Sequence, residues 1–188
     1  MSTVDLITPR LRLLTPDKSL YEAWRTAHLG AAPAKSASDF EPRQPEALTL
    51  EAFDALLDRL AWLRSQGSHG ISVLQRQTGV QLGTISLFDR VEGPSQSIFL
   101  GYHIFNQFWG NGYATEAVAG AKQVVFEEFE LHRIESLVEI DNPASMRVLE
   151  KNGFRHEGTS KRRLQLRGEW RDAHIFAITR EEYEPPVY

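Results

Sequence analysis

Residues 104–117, Ile-Phe-Asn-Gln-Phe-Trp-Gly-Asn-Gly-Tyr-Ala-Thr-Glu-Ala, constrain this chain more than any other stretch. A strand runs into two closely spaced glycines and then opens a helix of small residues. Without a Cβ, Gly110 and Gly112 let the backbone turn with φ > 0 and let a ligand lie against its N–H groups. The first turn of the helix adds unpaired donors and the positive end of its dipole, a combination that favours a pyrophosphate. Glycine pairs at such junctions also serve packing alone, so the rest of the chain must decide. Two nucleotide motifs are excluded. A P-loop requires Gly-Lys-Ser/Thr where Tyr113 and Ala114 follow Gly112, and a dinucleotide fingerprint requires a third small residue where Thr115 stands. The expected ligand is phosphorylated, but neither a nucleoside triphosphate nor a nicotinamide dinucleotide.

The 188 residues suit a single domain, 1–188, with a core large enough to fold unaided. Hydrophobic residues at 41% and charged residues at 24% disfavour both wholesale disorder and membrane residence. No apolar run reaches 18 residues, and Met1-Ser2-Thr3-Val4-Asp5 offers neither a basic stretch nor an apolar core for export. The expectation is a cytoplasmic protein without a membrane partner. Zero cysteines exclude disulfides, thiolate metal sites and a cysteine nucleophile. A net charge of −4 argues against nucleic acid as a partner, although Lys161-Arg162-Arg163 with Arg167 and Arg171 could meet an anion. The histidines share no metal-ligand spacing, so no metal is expected.

Leu6 to Leu14 alternates apolar and basic residues around Arg10-Leu11-Arg12-Leu13, which reads as one half-buried strand, with Pro9 placing it at an edge or near its beginning. A helix over about 18–28 follows, capped by Asp17 or Ser19. Residues 30–47 are rich in Ala, Pro and Ser and read as a mobile loop. A second helix covers about 49–66. From residue 70 the period changes to two, giving a hairpin from Ile71–Arg76 to Gln81–Phe88 and a strand from Ser97 to Phe105. The glycine segment launches a helix over about 113–129, followed by a strand from Arg133 to Ile140. Asn142 as cap, Pro143 at the first helical position and Gly153 past the end punctuate the next helix. Two strands, about 154–166 and 170–179, close the chain. The order predicts an α+β fold, an antiparallel sheet with one parallel pair where the 113–129 helix crosses over. If that pair splays, it opens a slot for a long thin ligand.

Trp109-Gly110-Asn111-Gly112-Tyr113-Ala114-Thr115-Glu116-Ala117, with Asn142-Pro143-Ala144-Ser145 and Leu149-Glu150-Lys151-Asn152-Gly153-Phe154-Arg155-His156-Glu157-Gly158, resembles the GNAT acetyltransferases. Pro9-Arg10-Leu11-Arg12-Leu13 and Gly168-Glu169-Trp170-Arg171-Asp172-Ala173 extend the likeness to the RimJ/RimL-like branch, so it covers nearly the whole chain. The resemblance implies a GNAT fold of about seven strands with a splayed parallel pair and about four flanking helices. It implies acetyl-CoA as cosubstrate, with pyrophosphate on the N–H groups of Gly110, Asn111, Gly112, Tyr113, Ala114 and Thr115 beside Trp109. The pantetheine arm would pair with the backbone of Ile104 and Phe105. Asn142 would bond the arm near its thiol, serve as a plain helix cap, or do both in part. The acceptor would be a primary amine, either a protein N-terminus or a small molecule, and a homodimer is a family-level expectation.

Transfer of acetyl to an amine needs a place for the ammonium proton, an N–H for the oxyanion and a donor for the departing sulfur. The oxyanion donor is expected at the backbone of Ile104 or Phe105. By resemblance Ser145 serves the sulfur; read without it, a serine in a first turn is a solvated or secondary capping residue. Two positions depart from the family. Leu149 stands where many members carry a tyrosine acid, and Phe99 stands where a glutamate commonly precedes Gly101-Tyr102. Either the acceptor is an α-amine, whose pKa near 7.7–8.0 lessens the need for a base, or His103, Glu139 or His174 supplies one. His103 also reads as a half-buried histidine satisfied by a neighbour. Tyr102, Trp24, Phe40 and Trp170 are candidates for the acceptor pocket or for the core. A non-catalytic acyl-CoA-binding module of the same fold is the alternative that Phe99 keeps open.

Overall fold

The computed structural model describes residues 3–36 and 39–186, so Met1 and Ser2 lie outside the described residues. Its first feature departs from the sequence reading. Leu6–Leu14 forms two short strands, β1 (Asp5–Ile7) and β2 (Leu11–Leu14), paired antiparallel. Pro9, which cannot donate to a ladder, stands in the turn between them. Thr8 clamps that turn: its N–H reaches Leu11 O at 2.9 Å, and its hydroxyl oxygen accepts Leu11 N–H at 3.0 Å. The sheet therefore has eight strands rather than seven, in the order β1-β2-β3-β4-β5-β6-β8-β7.

Helix α1 (Tyr21–Leu29) follows a 3-10 turn that Asp17 caps through Ser19 N–H at 2.8 Å. Thr49 caps α2 (Leu50–Ser65). Strands β3 (His69–Gln75), β4 (Gln81–Val91) and β5 (Ser97–Ile104) form the antiparallel centre of the sheet. Helix α3 (Tyr113–Gln123) runs on through a π turn over Val124–Glu128. Then come β6 (Arg133–Glu139), α4 (Pro143–Lys151), β7 (Arg155–Leu166) and β8 (Glu169–Thr179). Leu20, Trp24, Leu48, Phe53 and Leu74 form an apolar cluster under α1 and α2. The larger cluster, with Ile71, Val73, Ile85, Val118, Ala121 and Phe126, packs α3 on the opposite face of the sheet. Among the described residues no helix is long and apolar enough to cross a membrane.

Strands β5 and β6 pair in parallel only from Ser97–Phe99 to Arg133–Glu135. Beyond that each strand follows its other neighbour. Pairs from Gly83↔Ile104 to Phe88↔Phe99 hold β5 to β4, while Arg133↔Thr179 through Glu139↔Ala173 hold β6 to β8. At Gly83 the two backbones come so close that a Cβ would lie 2.0 Å from the carbonyl oxygen of His103. The last bridge across the opening is a side chain, Ser136 Oγ donating to Leu100 O at 2.8 Å. Buried Lys122 and Asn152 then fix α4 against α3: Lys122 Nζ reaches Asn152 O at 2.6 Å, and Asn152 Nδ2 reaches Thr115 O at 3.1 Å. The glycine turn and the Asn142 helix are thereby set at a fixed separation on one wall.

Candidate active site

Gly112 is the N-cap of α3, with φ +75°, and Gly110 has φ +82°; both conformations are strained for any residue with a Cβ. Thr49 and Asn142 close the starts of their helices with side-chain oxygens, but α3 begins with no side-chain cap. Its first N–H groups, which have no intrahelical acceptor, therefore lack a side-chain cap as well and sit at the positive end of the dipole. Glu116, in the first turn, is drawn aside. Its Oε1 accepts Thr8 Oγ1 at 2.6 Å and Arg10 N–H at 2.8 Å, and its Oε2 accepts Arg10 Nε at 2.6 Å. Arg10 also donates to Asn111 O at 2.9 Å and lies 5.0 Å over the Tyr113 ring. The Thr8-Pro9-Arg10 turn thus braces the cradle, a role the sequence reading did not assign to it.

A slot of about 590 Å³ runs from this cradle along the splay. Its walls include Trp109, Gly110, Gly112, Tyr113, Ala114 and Thr115 at one end, and Tyr102, His103, Ile104, Asn142 and Ser145 further in. Arg147 and Lys151 add positive charge from α4 to a chain that is negative overall. Phe105 N–H donates to Leu82 O at 2.9 Å, so by antiparallel alternation the N–H of Ile104 points away from β4 and toward the gap. Ile104 O accepts the Trp109 indole N–H at 2.6 Å. One expected backbone contact lies elsewhere, and one cradle side chain turns away from the slot. Phe105, with its N–H consumed by β4, lines a separate cavity of about 370 Å³ under α1 and α2. Asn111 turns its side chain back onto the Phe108 and Trp109 carbonyls and stays off the slot wall.

At the inner end Asn142 Oδ1 accepts Ser145 N–H at 3.0 Å, capping α4 and leaving its amide NH₂ for other contacts. Ser145 Oγ lies 2.7 Å from the Tyr102 hydroxyl, which also donates to Ser145 O at 3.1 Å. Burial pushes the Tyr102 phenol up to about 12, so it stays protonated in any ordinary buffer. Leu149, at the position of the missing tyrosine acid, is fully buried in the core. A phenol nonetheless reaches this end of the slot, carried by β5 rather than by α4.

On the other side, His103 packs its ring 3.8 Å from Phe40, and its Nε2 lies 3.6 Å from Asp39 Oδ1. Burial is the main cause that lowers His103 to about 4; Asp39 opposes it and His28 adds to it. Asn106, immediately after β5, holds the 30–47 segment. Its Nδ2 donates to Ala32 O at 3.1 Å, Pro33 O at 2.9 Å and Asp39 Oδ2 at 2.9 Å, and its Oδ1 accepts Ala32 N–H at 3.2 Å. Arg167, at the tip of the β7–β8 hairpin, adds a bond to Ser36 O at 3.0 Å and an ion pair with Glu41 at 2.8 Å. The segment read as a mobile loop is therefore anchored at several points; its residues 37 and 38 lie outside the described residues. Glu139 lines the slot and meets Arg171 at 3.5 Å. His174 does not reach the slot: it turns to His156 at 3.0 Å and Thr159 at 2.9 Å on the outer hairpin. Trp24 lines the second cavity and Trp170 is exposed, so neither borders the slot. Phe99 stacks on Phe88 at 5.8 Å.

Residues 10–155 match the family described as the acetyltransferase (GNAT) domain. The chain is 41% identical over 103 residues to the probable N-acetyltransferase YjcK of Bacillus subtilis (strain 168), covering 55% of this chain and 57% of that protein. Matches to that protein and three further Bacillus relatives span between 48% and 62% of their lengths. Identity is 26% over 166 residues to the [ribosomal protein uS5]-alanine N-acetyltransferase of Escherichia coli (strain K12), covering 87% and 86% of the two chains. The solved structure of Mycobacterium smegmatis RimJ in complex with CoA-disulfide superposes with a TM-score of 0.78 at 26% identity, covering 96% of this chain and 88% of that one. With a family match that takes in the braced cradle, the splayed strands and the start of β7, the chain belongs to the GNAT acetyltransferase family.

Proposed function

We propose that this chain is an N-acetyltransferase that uses acetyl-CoA and moves the acetyl group directly to a primary amine, a protein N-terminal α-amine or a small-molecule amine. The observation that carries the reading is one slot with the uncapped start of α3 at its mouth and the Tyr102–Ser145 pair at its inner end. Bound acetyl-CoA supplies the activated acetyl group. The first N–H groups of α3 hold its pyrophosphate, Ile104 N–H and Asn142 NH₂ orient its arm, and Ser145 Oγ, backed by the Tyr102 hydroxyl, meets its sulfur. Ser145 is not a nucleophile in this scheme. Its hydroxyl neighbour is a phenol pushed up to about 12, which donates hydrogen bonds and is no base. His103 takes the acceptor's proton, and Glu139, engaged by Arg171, draws the cationic acceptor inward.

Arg10→Ala should raise the dissociation constant of coenzyme A about tenfold in calorimetry, because it removes the guanidinium that pairs with Glu116 and leaves that carboxylate uncompensated beside the phosphates. A pH profile tests the reading more broadly. His103, lowered to about 4, is neutral above about pH 5, and Tyr102, raised to about 12, stays protonated below about pH 11. Between those limits the acceptor's own ionisation sets the rate. Log kcat/KM, followed by coenzyme A release, should rise with unit slope and level near 8 for a peptide α-amine and near 10 for an alkylamine. A break at one pH for both acceptors, or coenzyme A binding without turnover of any amine, sinks the proposal.

A further inference from the structure

We infer that Asp39 and Asn106 are positioning residues that make His103 a directed base: Asn106 seats the 30–47 segment against β5 so that the Asp39 carboxylate holds the His103 proton on Nε2 and leaves Nδ1 to receive the acceptor's proton. The inference rests on the acetyl-transfer reading above. It also answers the question raised by Phe99, where the usual carboxylate is absent.

The geometry is over-determined on the carboxylate side. Asp39 is 8% exposed, and three donors fix its orientation: Asn106 Nδ2 at 2.9 Å and Lys35 N–H at 3.0 Å on Oδ2, and Phe40 N–H at 2.9 Å on Oδ1. Oδ1 keeps acceptor capacity and lies 3.6 Å from His103 Nε2, a buried nitrogen with no hydrogen-bond partner among the described residues. Water is kept from that nitrogen, since Phe40 covers the ring at 3.8 Å and Phe105 meets it edge-on at 5.7 Å. A carboxylate facing one imidazole nitrogen favours the tautomer that carries the proton there. The basic lone pair then falls on Nδ1, while the ring itself borders the slot.

Asn106 links this arrangement to the strand. It is 6% exposed and spends both its side-chain oxygen and its NH₂ on the loop, so one residue next to β5 fixes how Asp39 and Phe40 meet His103. Two titratable groups face the imidazole, Asp39 from the loop and His28 from α1; the first favours its charged form and the second opposes it. As the acceptor nitrogen bonds to the acetyl carbon, the carbon–sulfur bond breaks and coenzyme A leaves as its thiolate, while the nitrogen sheds one proton, which passes to Nδ1. The resulting imidazolium presents Nε2–H to Asp39, and no electrons change hands. Burial makes that cation short-lived, which suits a group that must pass the proton on to solvent through the slot.

The test uses the full chain with nitrogen-15-labelled histidine. Nuclear magnetic resonance should show wild-type His103 with its proton on Nε2, and Asp39→Asn should populate the Nδ1–H tautomer. In kinetics, Asp39→Asn should lower kcat between about ten- and a hundredfold while KM for acetyl-CoA stays unchanged, and Asp39→Glu should recover part of the loss. Asn106→Ala should follow Asp39→Asn. In a His103→Gln background Asp39→Asn should cost nothing further, since the two act as a unit. A wild-type Nδ1–H tautomer overturns the inference. So does an equal loss in both backgrounds, or a loss confined to KM for the acceptor, which would mean that Asp39 binds the ammonium itself. If no amine is acetylated at all, the acetyl-transfer reading falls, while the tautomer measurement still decides whether Asp39 directs His103.

Discussion

Ser145→Ala should lower kcat about a hundredfold and leave the dissociation constant of coenzyme A within about twofold, because the hydroxyl matters only once charge develops on the departing sulfur. Tyr102→Phe should cost nearly as much. The phenol stands 2.7 Å from Ser145 Oγ, where either hydroxyl can donate, and 3.1 Å from Ser145 O, so its loss removes the group that holds the serine hydroxyl in place. Raised to about 12, it serves as a permanent hydrogen-bond donor rather than as a titrating acid. The double variant should therefore be little worse than either single one, as expected for groups that act as a unit. Rapid-quench measurement of a single turnover separates this chemical effect from product release. If the two losses instead multiply, Tyr102 and Ser145 act independently; if Ser145→Ala weakens coenzyme A binding with kcat intact, the serine contacts the arm and not the reaction.

The element order was legible because long periodic segments announce themselves. The Asn142-Pro143 start and Gly153 stop of α4 state their boundaries in residue chemistry, and the observed helix runs Pro143–Lys151. What escaped was tertiary. Alternation through Leu6–Leu14 reads as one strand, since the Thr8-Pro9-Arg10 turn becomes compulsory only when Glu116, more than a hundred residues away, draws Thr8 and Arg10 onto it. In the same way residues 30–47 have no period and read as mobile, yet one buried asparagine binds them to the end of β5.

The site divides along the same line. The glycine cradle and Asn142 are local features, visible as spacing within one segment. Tyr102 was noted only as an aromatic near the slot, because its bond to Ser145 joins β5 to α4 across 43 positions. Asp39 and Asn106 gave no local signal at all; a lone acid in an Ala/Pro/Ser-rich stretch and an asparagine before a glycine turn are ordinary. His174 stood among the candidate bases, but on β8 its ring turns outward to His156 and Thr159. Phe105 likewise reads as slot wall until antiparallel alternation assigns its N–H to β4.

Gly112→Val should raise the dissociation constant of coenzyme A by about a hundredfold or more, the largest binding effect expected of any single change in the cradle. At φ +75° a β-branched residue is strained by roughly 1–2 kcal/mol or somewhat more. Its Cβ would lie 3.5 Å from Arg10 Nη2, against the brace that orders the first turn of α3. Strain alone does not distinguish a binding site from a turn, and the chain supplies its own control. Gly79, in the β3–β4 hairpin, has φ +72° and open space where a Cβ would stand, and it does not border the slot. Gly79→Val therefore carries nearly the same backbone penalty. Both variants should lose similar stability in thermal unfolding, while only Gly112→Val should lose coenzyme A in calorimetry. The difference between them isolates the approach of the phosphates to bare backbone from the cost of the conformation itself. Equal losses of coenzyme A would show that affinity follows global stability and that the turn at Gly112 is there for packing. Unchanged binding in both would remove the cradle, and with it the pyrophosphate end of the slot.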